Sequence, residues 1–367
     1  MTANYRNQLI KLLIICRHLG NVLITKCGLK SKVNAFIHLE IFNMKRKFLS
    51  AAIGLIACLG MGAAQAQTKW DLASAYPANN FHTENLTQFA TDVEKATSGK
   101  LKITVHANAS LFKATEIKRA VQGGQAQAGE VIQANLQNEW QIYGADGLPF
   151  LADSYDESVK LQNAQRPMVE KKLAEQGMVY LYAVAWPPQG IYTKKPIASA
   201  ADLRGVKWRA YSPATARIAD LVKAQPVTVQ AAELSQALAT GVVEATMTSG
   251  ATGVDSKLYE HMKYYYDVQA WLPKNMVIVN RKAFDALDKA TQTAVLQAAA
   301  AAESRGLAAS KRVDTDSKAK LKANGMQVVE ASAQLKADLK KVGDTMLSEW
   351  LEKSGAEGQA LLNDYKR

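Results

Sequence analysis

Strand and helix alternate in this chain twice over in the same order, and that repetition constrains the fold more than any single residue does. Thr68 to Ala75 alternates as a strand does, and Asn79 or Asn80 then caps a helix running through Phe89 and Val93 to Ser98-Gly99. Leu101 to Val105 reads as the next strand, Thr115 caps a helix from Glu116 to Gly123, and Ala126 to Ile132 returns as a strand. The same grammar recurs as strand Val206 to Arg209, helix Pro213 to Lys223, strand Val227 to Val229, helix Ala232 to Thr240 and strand Glu244 to Thr248. Glu116-Ile117-Lys118-Arg119-Ala120-Val121-Gln122-Gly123-Gly124 can be written over Glu233-Leu234-Ser235-Gln236-Ala237-Leu238-Ala239-Thr240-Gly241, with acid, apolar, Ala and Gly positions in register. An Ala-rich chain can produce such a match by chance, but two related α/β lobes are the natural reading. Open α/β sheets bind ligands beyond the carboxyl ends of their strands, so two facing lobes create a cleft walled by loops of both.

Met178 to Trp186 and Gln189 to Thr193 read as strands interrupted by Pro187-Pro188, and a second crossing lies at Val268 to Asn280 around Pro273; both suit hinges. From Ala283 to about Asn324 nearly every residue is a helix former. At ~1.5 Å per residue that helix is roughly 60 Å long, so it is expected to brace both lobes, with a kink at Gly306. Met326 to Val329 reads as a last strand, and Ala333 to Lys353 as an amphipathic helix with Leu335, Leu339, Val342, Met346 and Trp350 on one face. The expected partition is residues 67–187 with about 276–318 in lobe 1, and 188–275 with about 319–367 in lobe 2.

The amino-terminal region is read apart from the fold. Met44-Lys45-Arg46-Lys47, the apolar run Phe48 to Ala63 and Ala64-Gln65-Ala66 form a charged region, an apolar core and a small-x-small cleavage site, so residues 44–66 are expected to be a cleaved signal peptide. Leu55-Ile56-Ala57-Cys58 also fits a lipoprotein signal acylated at Cys58, and a retained anchor is a further alternative. Residues 1–43 precede a complete signal and are best explained by a misassigned start codon. An exported, periplasmic protein is the expectation.

Residues 1–66 hold nine of the 45 basic residues and one of the 33 acidic ones, so the formal charge falls from +12 for the whole chain to about +4 for the remainder. No basic stripe of the kind nucleic acid requires remains. All three cysteines, Cys16, Cys27 and Cys58, lie before Gln67, which removes disulfides, thiolate metal sites and Cys nucleophiles from the exported body. The histidines left to it, His82, His106 and His261, have no ligand spacing. Gly123-Gly124 to Gly129 lacks the Lys-Ser/Thr of a phosphate loop, and no Gly-x-Ser-x-Gly elbow occurs. No catalytic constellation is legible, although scattered Ser, His and Asp can converge in space. No cofactor and no metal are expected.

One candidate remains. Arg209 lies in Gly205-Val206-Lys207-Trp208-Arg209-Ala210-Tyr211-Ser212-Pro213, at a strand end among aromatic rings and just before a helix start. A guanidinium offers paired donors that match both oxygens of a carboxylate, and neighbouring rings exclude water from the bond. A solvated surface Arg is the competing reading of the nonapeptide taken alone.

Ala120-Val121-Gln122-Gly123-Gly124-Gln125, Lys195-Pro196-Ile197, Asp202-Leu203-Arg204-Gly205-Val206-Lys207-Trp208-Arg209 and Val279-Asn280-Arg281-Lys282-Ala283-Phe284-Asp285-Ala286-Leu287 together give a chain that resembles the substrate receptors of tripartite ATP-independent periplasmic (TRAP) transporters, dicarboxylate-receptor type, from Thr68 to the C-terminus. The resemblance implies a two-lobed periplasmic binding protein fold with hinge strands and a long helix spanning both lobes. It also implies a receptor, not an enzyme, that closes on an organic acid and passes it to membrane permease subunits. A monomer is expected.

In that family the strand-end Arg, here Arg209, binds the substrate carboxylate, and Glu130 matches an acidic position near the pocket in some members, a plain strand-end charge being the alternative. Gln189 stands where acidic-sugar receptors carry a second Arg, and Thr248 and Ser249 where they carry Asn. A second anionic group therefore lacks its obvious partner, which favours a 2-hydroxy or 2-oxo monocarboxylate over a dicarboxylate. Gln189 also occupies a position used near a bound cation in oxo-acid receptors, but no companion acidic residue is evident. Trp186, Trp208, Tyr211 and Trp271 are candidate walls for the ligand's apolar end, with core packing as the alternative for each. Tyr76 and Phe81 are expected in the opposite loop.

Overall fold

The computed structural model describes residues Gln67 to Arg367. The proposed extension, the signal peptide and Cys58 lie outside the described residues. The strands are β1 (Thr68–Ala73), β2 (Leu101–His106), β3 (Ala128–Ile132), β4 (Met178–Ala185), β5 (Gln189–Thr193), β6 (Lys207–Ala210), β7 (Gln225–Thr228), β8 (Ala245–Ser249), β9 (Tyr264–Tyr266), β10 (Lys274–Asn280) and β11 (Gln327–Val329). Between and after them run α1 (Phe81–Ala96), α2 (Ile117–Gln122), α3 (Tyr155–Glu175), α4 (Pro213–Leu221), α5 (Leu234–Ala239), α6 (Gly250–Asp255), α7 (Arg281–Asp285), α8 (Lys289–Ala323) and α9 (Ala333–Lys366).

The repeat in the sequence is a repeat in topology. One sheet has the order β2-β1-β3-β10-β4 and the other β7-β6-β8-β5-β9-β11. In each, a central strand lies parallel to two neighbours, β1 between β2 and β3, and β6 between β7 and β8. In each, the next strand is antiparallel to both of its own neighbours, β10 between β3 and β4, and β5 between β8 and β9. Gly124 and Gly241, matched in the sequence, both end their helices in the left-handed region, with φ of 76° and 71°. A side chain is strained there, which is why glycine recurs at that position.

The crossings between sheets run side by side. Trp186 N donates to Pro273 O (2.8 Å), Gln189 N to Trp271 O (3.0 Å) and Ala270 N to Gln189 O (3.0 Å), so the β4–β5 and β9–β10 connections form a short hydrogen-bonded ribbon. The helix α8 braces both halves: Val295, Ala298, Ala299 and Ala302 pack in the core of the first sheet, and Leu321 packs with Tyr192, Leu238 and Tyr265 of the second. It is unbroken at Gly306, where a Cβ would come within 2.3 Å of Val184 Cγ2. The glycine is there for close approach to β4, and not for a kink.

Other differences from the sequence reading are local. α2 begins at Ile117, and Glu116 is its N-cap without any side-chain cap, so Thr115 does not close that helix end. The helix expected from Ala232 breaks into a 3₁₀ turn over Ala231–Glu233 followed by α5. α9 runs on past Lys353, bending at Gly355 (φ 57°, ψ −134°) before burying Leu361, Leu362 and Tyr365. α3 was not legible. Its buried face, Ser158, Leu161, Gln165, Val169 and Leu173, includes two polar residues, and Pro167 lies inside it.

Candidate functional site

Alternation along β6 sends consecutive side chains to opposite faces. Trp208 packs into the core against Leu203, Ile218 and Trp271, whereas Arg209 reaches a cavity between the two sheets. Ser212 caps α4 with a reciprocal Thr215 box, and Thr215 Oγ1 also accepts from Tyr211 N (2.9 Å). This fixes the Tyr211 ring 4.8 Å from the guanidinium. Tyr211 Oη donates to Gln189 Oε1 (3.0 Å), and Gln189 Nε2 donates to Pro187 O (2.9 Å), so the wall is tied to the crossing itself.

Arg209 is 3% exposed. Among the described residues its hydrogen bond is from Nε to Val229 O (2.8 Å), and no described carboxylate lies within ion-pairing distance. Burial pushes its pKa down to about 10, with the nearby tyrosines opposing the shift, so it remains charged at neutral pH. A buried, charged fork with unused donors is costly unless an anion completes it.

The first sheet supplies the facing wall. Glu130 on β3 accepts from Ser74 Oγ (2.9 Å) and lies 3.2 Å from His82 Nδ1. The His82 ring centroid is 4.3 Å from that of Trp186, and Tyr76 is 5.0 Å from Trp186 on another side. Trp186 Nε1 (2.9 Å) and Tyr76 Oη (3.4 Å) share Asn275 Oδ1. Burial, reinforced by Glu130, raises the Tyr76 phenol, keeping it a neutral donor. Lys118 on α2 pairs with Glu139 along the same wall.

The cavity volume is about 170 Å³. That is small beside the ~300–1,000 Å³ of clefts for drug-sized ligands, and it suits a small acid. Of the sequence candidates, Arg209, Gln189, Tyr211 and Thr248 line it from the second sheet, and Tyr76, Glu130 and Trp186 from the first. Phe81, Trp208, Ser249 and Trp271 do not. Phe81 meets Trp186 edge-on and His82 at a tilt, Ser249 caps α6 by accepting from Thr252 N (3.2 Å), and both tryptophans are core. Lys118, Asn135, Glu139 and Gln230 line the cavity without having been anticipated. They come from a short helix and loops whose convergence no local pattern encodes, although an isolated Lys on the apolar face of α2 was a usable signal.

Among the described residues, no group of three or more His, Cys, Asp or Glu is placed to hold a metal ion, and no helix is long and apolar enough to cross a membrane.

The sequence profile described as bacterial extracellular solute-binding protein, family 7 (DctP), matches residues 72–354. Among solved structures, the Bordetella pertussis extracytoplasmic solute receptor DctP6, binding pyroglutamic acid, is 58% identical, with a TM-score of 0.81 over 82% of this chain and 99% of that one. A second receptor of that organism, DctP7, also binding pyroglutamic acid, is 46% identical, with a TM-score of 0.81 over 82% of this chain and 100% of that one. A TRAP solute-binding protein from a marine metagenome, specific for pyroglutamate and in complex with it, is 45% identical, with a TM-score of 0.80 over 82% and 99% of the two chains.

Proposed function

The chain belongs to family 7 of the bacterial extracellular solute-binding proteins, the receptors of TRAP transporters, and from that membership we propose that its ligand is pyroglutamate or a closely similar small cyclic monocarboxylate. Three receptors at 45 to 58% identity bind this compound. The monocarboxylate expectation is retained, but its 2-hydroxy or 2-oxo group is replaced by the ring nitrogen of a lactam.

The observation that carries the reading is Arg209, a buried cation with no carboxylate partner among the described residues. The acid's carboxylate takes the guanidinium fork, with the Tyr211 ring against it. The lactam presents one N–H and one carbonyl and needs an acceptor and a donor. Glu130, Asn135 and Gln189 offer acceptors, and Thr248 and Gln230 offer donors, all on the cavity wall. Closure of the halves around the ribbon between β4–β5 and β9–β10 buries the charge pair and selects a conformation already populated. Export through a cleaved signal peptide and delivery to permease subunits complete the role. Titration calorimetry with pyroglutamate tests it: saturable one-to-one binding without turnover is expected, and absence of binding overturns the assignment of the ligand.

A further inference from the structure

Lys118 is a second cation on the cavity wall, and its position is unusual for a lysine. It projects from the buried face of α2 beside Ile117 and Val121 and is 6% exposed. Among the described residues its ammonium has one partner, the Glu139 carboxylate, which lies beyond the turn Gln133–Leu136 and is half exposed. Both side chains line the cavity that Arg209 enters from the other sheet.

We propose that Glu139 is a specificity-determining residue: by engaging the Lys118 ammonium it withholds a second cationic partner from the ligand and restricts the receptor to acids with one carboxylate. The inference rests on the monocarboxylate reading above and deepens it. A ligand with one carboxylate uses Arg209 and presents a neutral end to the opposite wall. A diacid of the same length brings a second full charge to that wall, where the lysine is already neutralised and Glu139 repels the newcomer. Like-charge juxtaposition of this kind discriminates by penalising the wrong ligand, not by improving the right one.

Pyroglutamate and glutarate share a five-carbon chain. Glutarate lacks the ring nitrogen and is open, but those differences are the same for every variant and cancel when the affinity ratio is compared between variants, which leaves the second carboxylate's response to the Lys118–Glu139 pair. Calorimetry on the wild type, Glu139→Gln and the double variant Lys118→Met/Glu139→Gln is read as the ratio of glutarate to pyroglutamate affinity. The expected result is a ratio raised about tenfold or more in Glu139→Gln, equivalent to ~1.4 kcal/mol, and lost again in the double variant. A ratio unchanged by Glu139→Gln, or a gain that survives loss of Lys118, overturns the inference while leaving the pyroglutamate reading intact. A wild type that binds neither acid overturns both. Far-UV circular dichroism verifies that each variant is folded.

Discussion

Asn80 Nδ2 donates to Asp255 Oδ2 at 2.6 Å, joining the N-cap of α1, which packs on the first sheet, to the last residue of α6, which follows β8 of the second. Asn80 Oδ1 meanwhile accepts from His82 N (2.9 Å), so one side chain both starts a helix and ties the two sides of the molecule. Asn80→Ala removes both interactions. Loss of the cap costs about 0.5–2 kcal/mol and loss of the tie about 1 kcal/mol more. Asn80→Asp keeps the cap acceptor but sets a second carboxylate against Asp255, whose pKa burial already raises. Urea denaturation at neutral pH is expected to show both variants destabilised, with Asn80→Asp recovering on acidification and Asn80→Ala not.

The buried pair Asp146 and Lys274 gives a pH dependence with a definite sign. Asp146 Oδ2 accepts from Lys274 N (2.8 Å), but Oδ1 and the Lys274 ammonium have no hydrogen-bond partner. Burial raises the Asp146 pKa from 3.8 to about 6, against the pull of Lys274. Between those values the folded protein keeps a proton that the unfolded chain has released, so this group's contribution to stability is greatest below pH 3.8 and declines as pH rises through about 6. The decline is on the order of 3 kcal/mol. Asp146→Asn is expected to remove that slope from the stability difference between pH 4 and pH 7, measured by denaturant titration at each pH.

Arg209→Lys separates charge from shape. A lysine keeps the positive charge but lacks the planar fork and the stacking on Tyr211. Arg209→Ala removes both, and losing one member of a buried charge pair costs about 3–5 kcal/mol, more than a hundredfold in affinity. Calorimetry with pyroglutamate is expected to rank wild type well above Arg209→Lys, and that variant above Arg209→Ala. Near-normal affinity in Arg209→Ala removes the residue from the site.

Much of this architecture was written locally. Gly124 and Gly241 announce the repeat because a left-handed backbone disfavours a side chain, and Asn80 and Ser212 announce helix starts because their side chains accept from the first free N–H groups. The cap at Asp288 was missed, and the helix read from Ala283 is a short α7 followed by α8 from Lys289. The nonapeptide around Arg209 also fitted a solvated surface Arg, and it was the family resemblance that singled the residue out; the structure sets it on the cavity wall. What was not legible depends on distant pairing. The polar residues on the buried face of α3 hide its periodicity, because only the elements packed against it decide that they are buried. Trp208 and Arg209 are adjacent, and only the facing of β6 decides which enters the cavity and which the core.

Gly306→Ala tests whether close approach, not flexibility, requires the glycine in α8. Helix propensity alone favours the change by about 1 kcal/mol. The new Cβ, however, would lie 2.3 Å from Val184 Cγ2 and 2.9 Å from Asn85 Nδ2. Val184 is a β-branched residue on β4 with little freedom to turn aside, and Asn85 is held by its bond to Ala302 O (2.9 Å) and by Arg305 Nε (2.8 Å). Overpacking of this kind costs about 1–3 kcal/mol, so the clash outweighs the propensity gain and the variant is expected to be less stable. Val184→Ala opens room for the added methyl, so Gly306→Ala made in that background is expected to cost less than it does in the wild type. Equal costs in the two backgrounds, measured as a double-mutant cycle by urea denaturation, would show that the helix and β4 are not in the tight contact described.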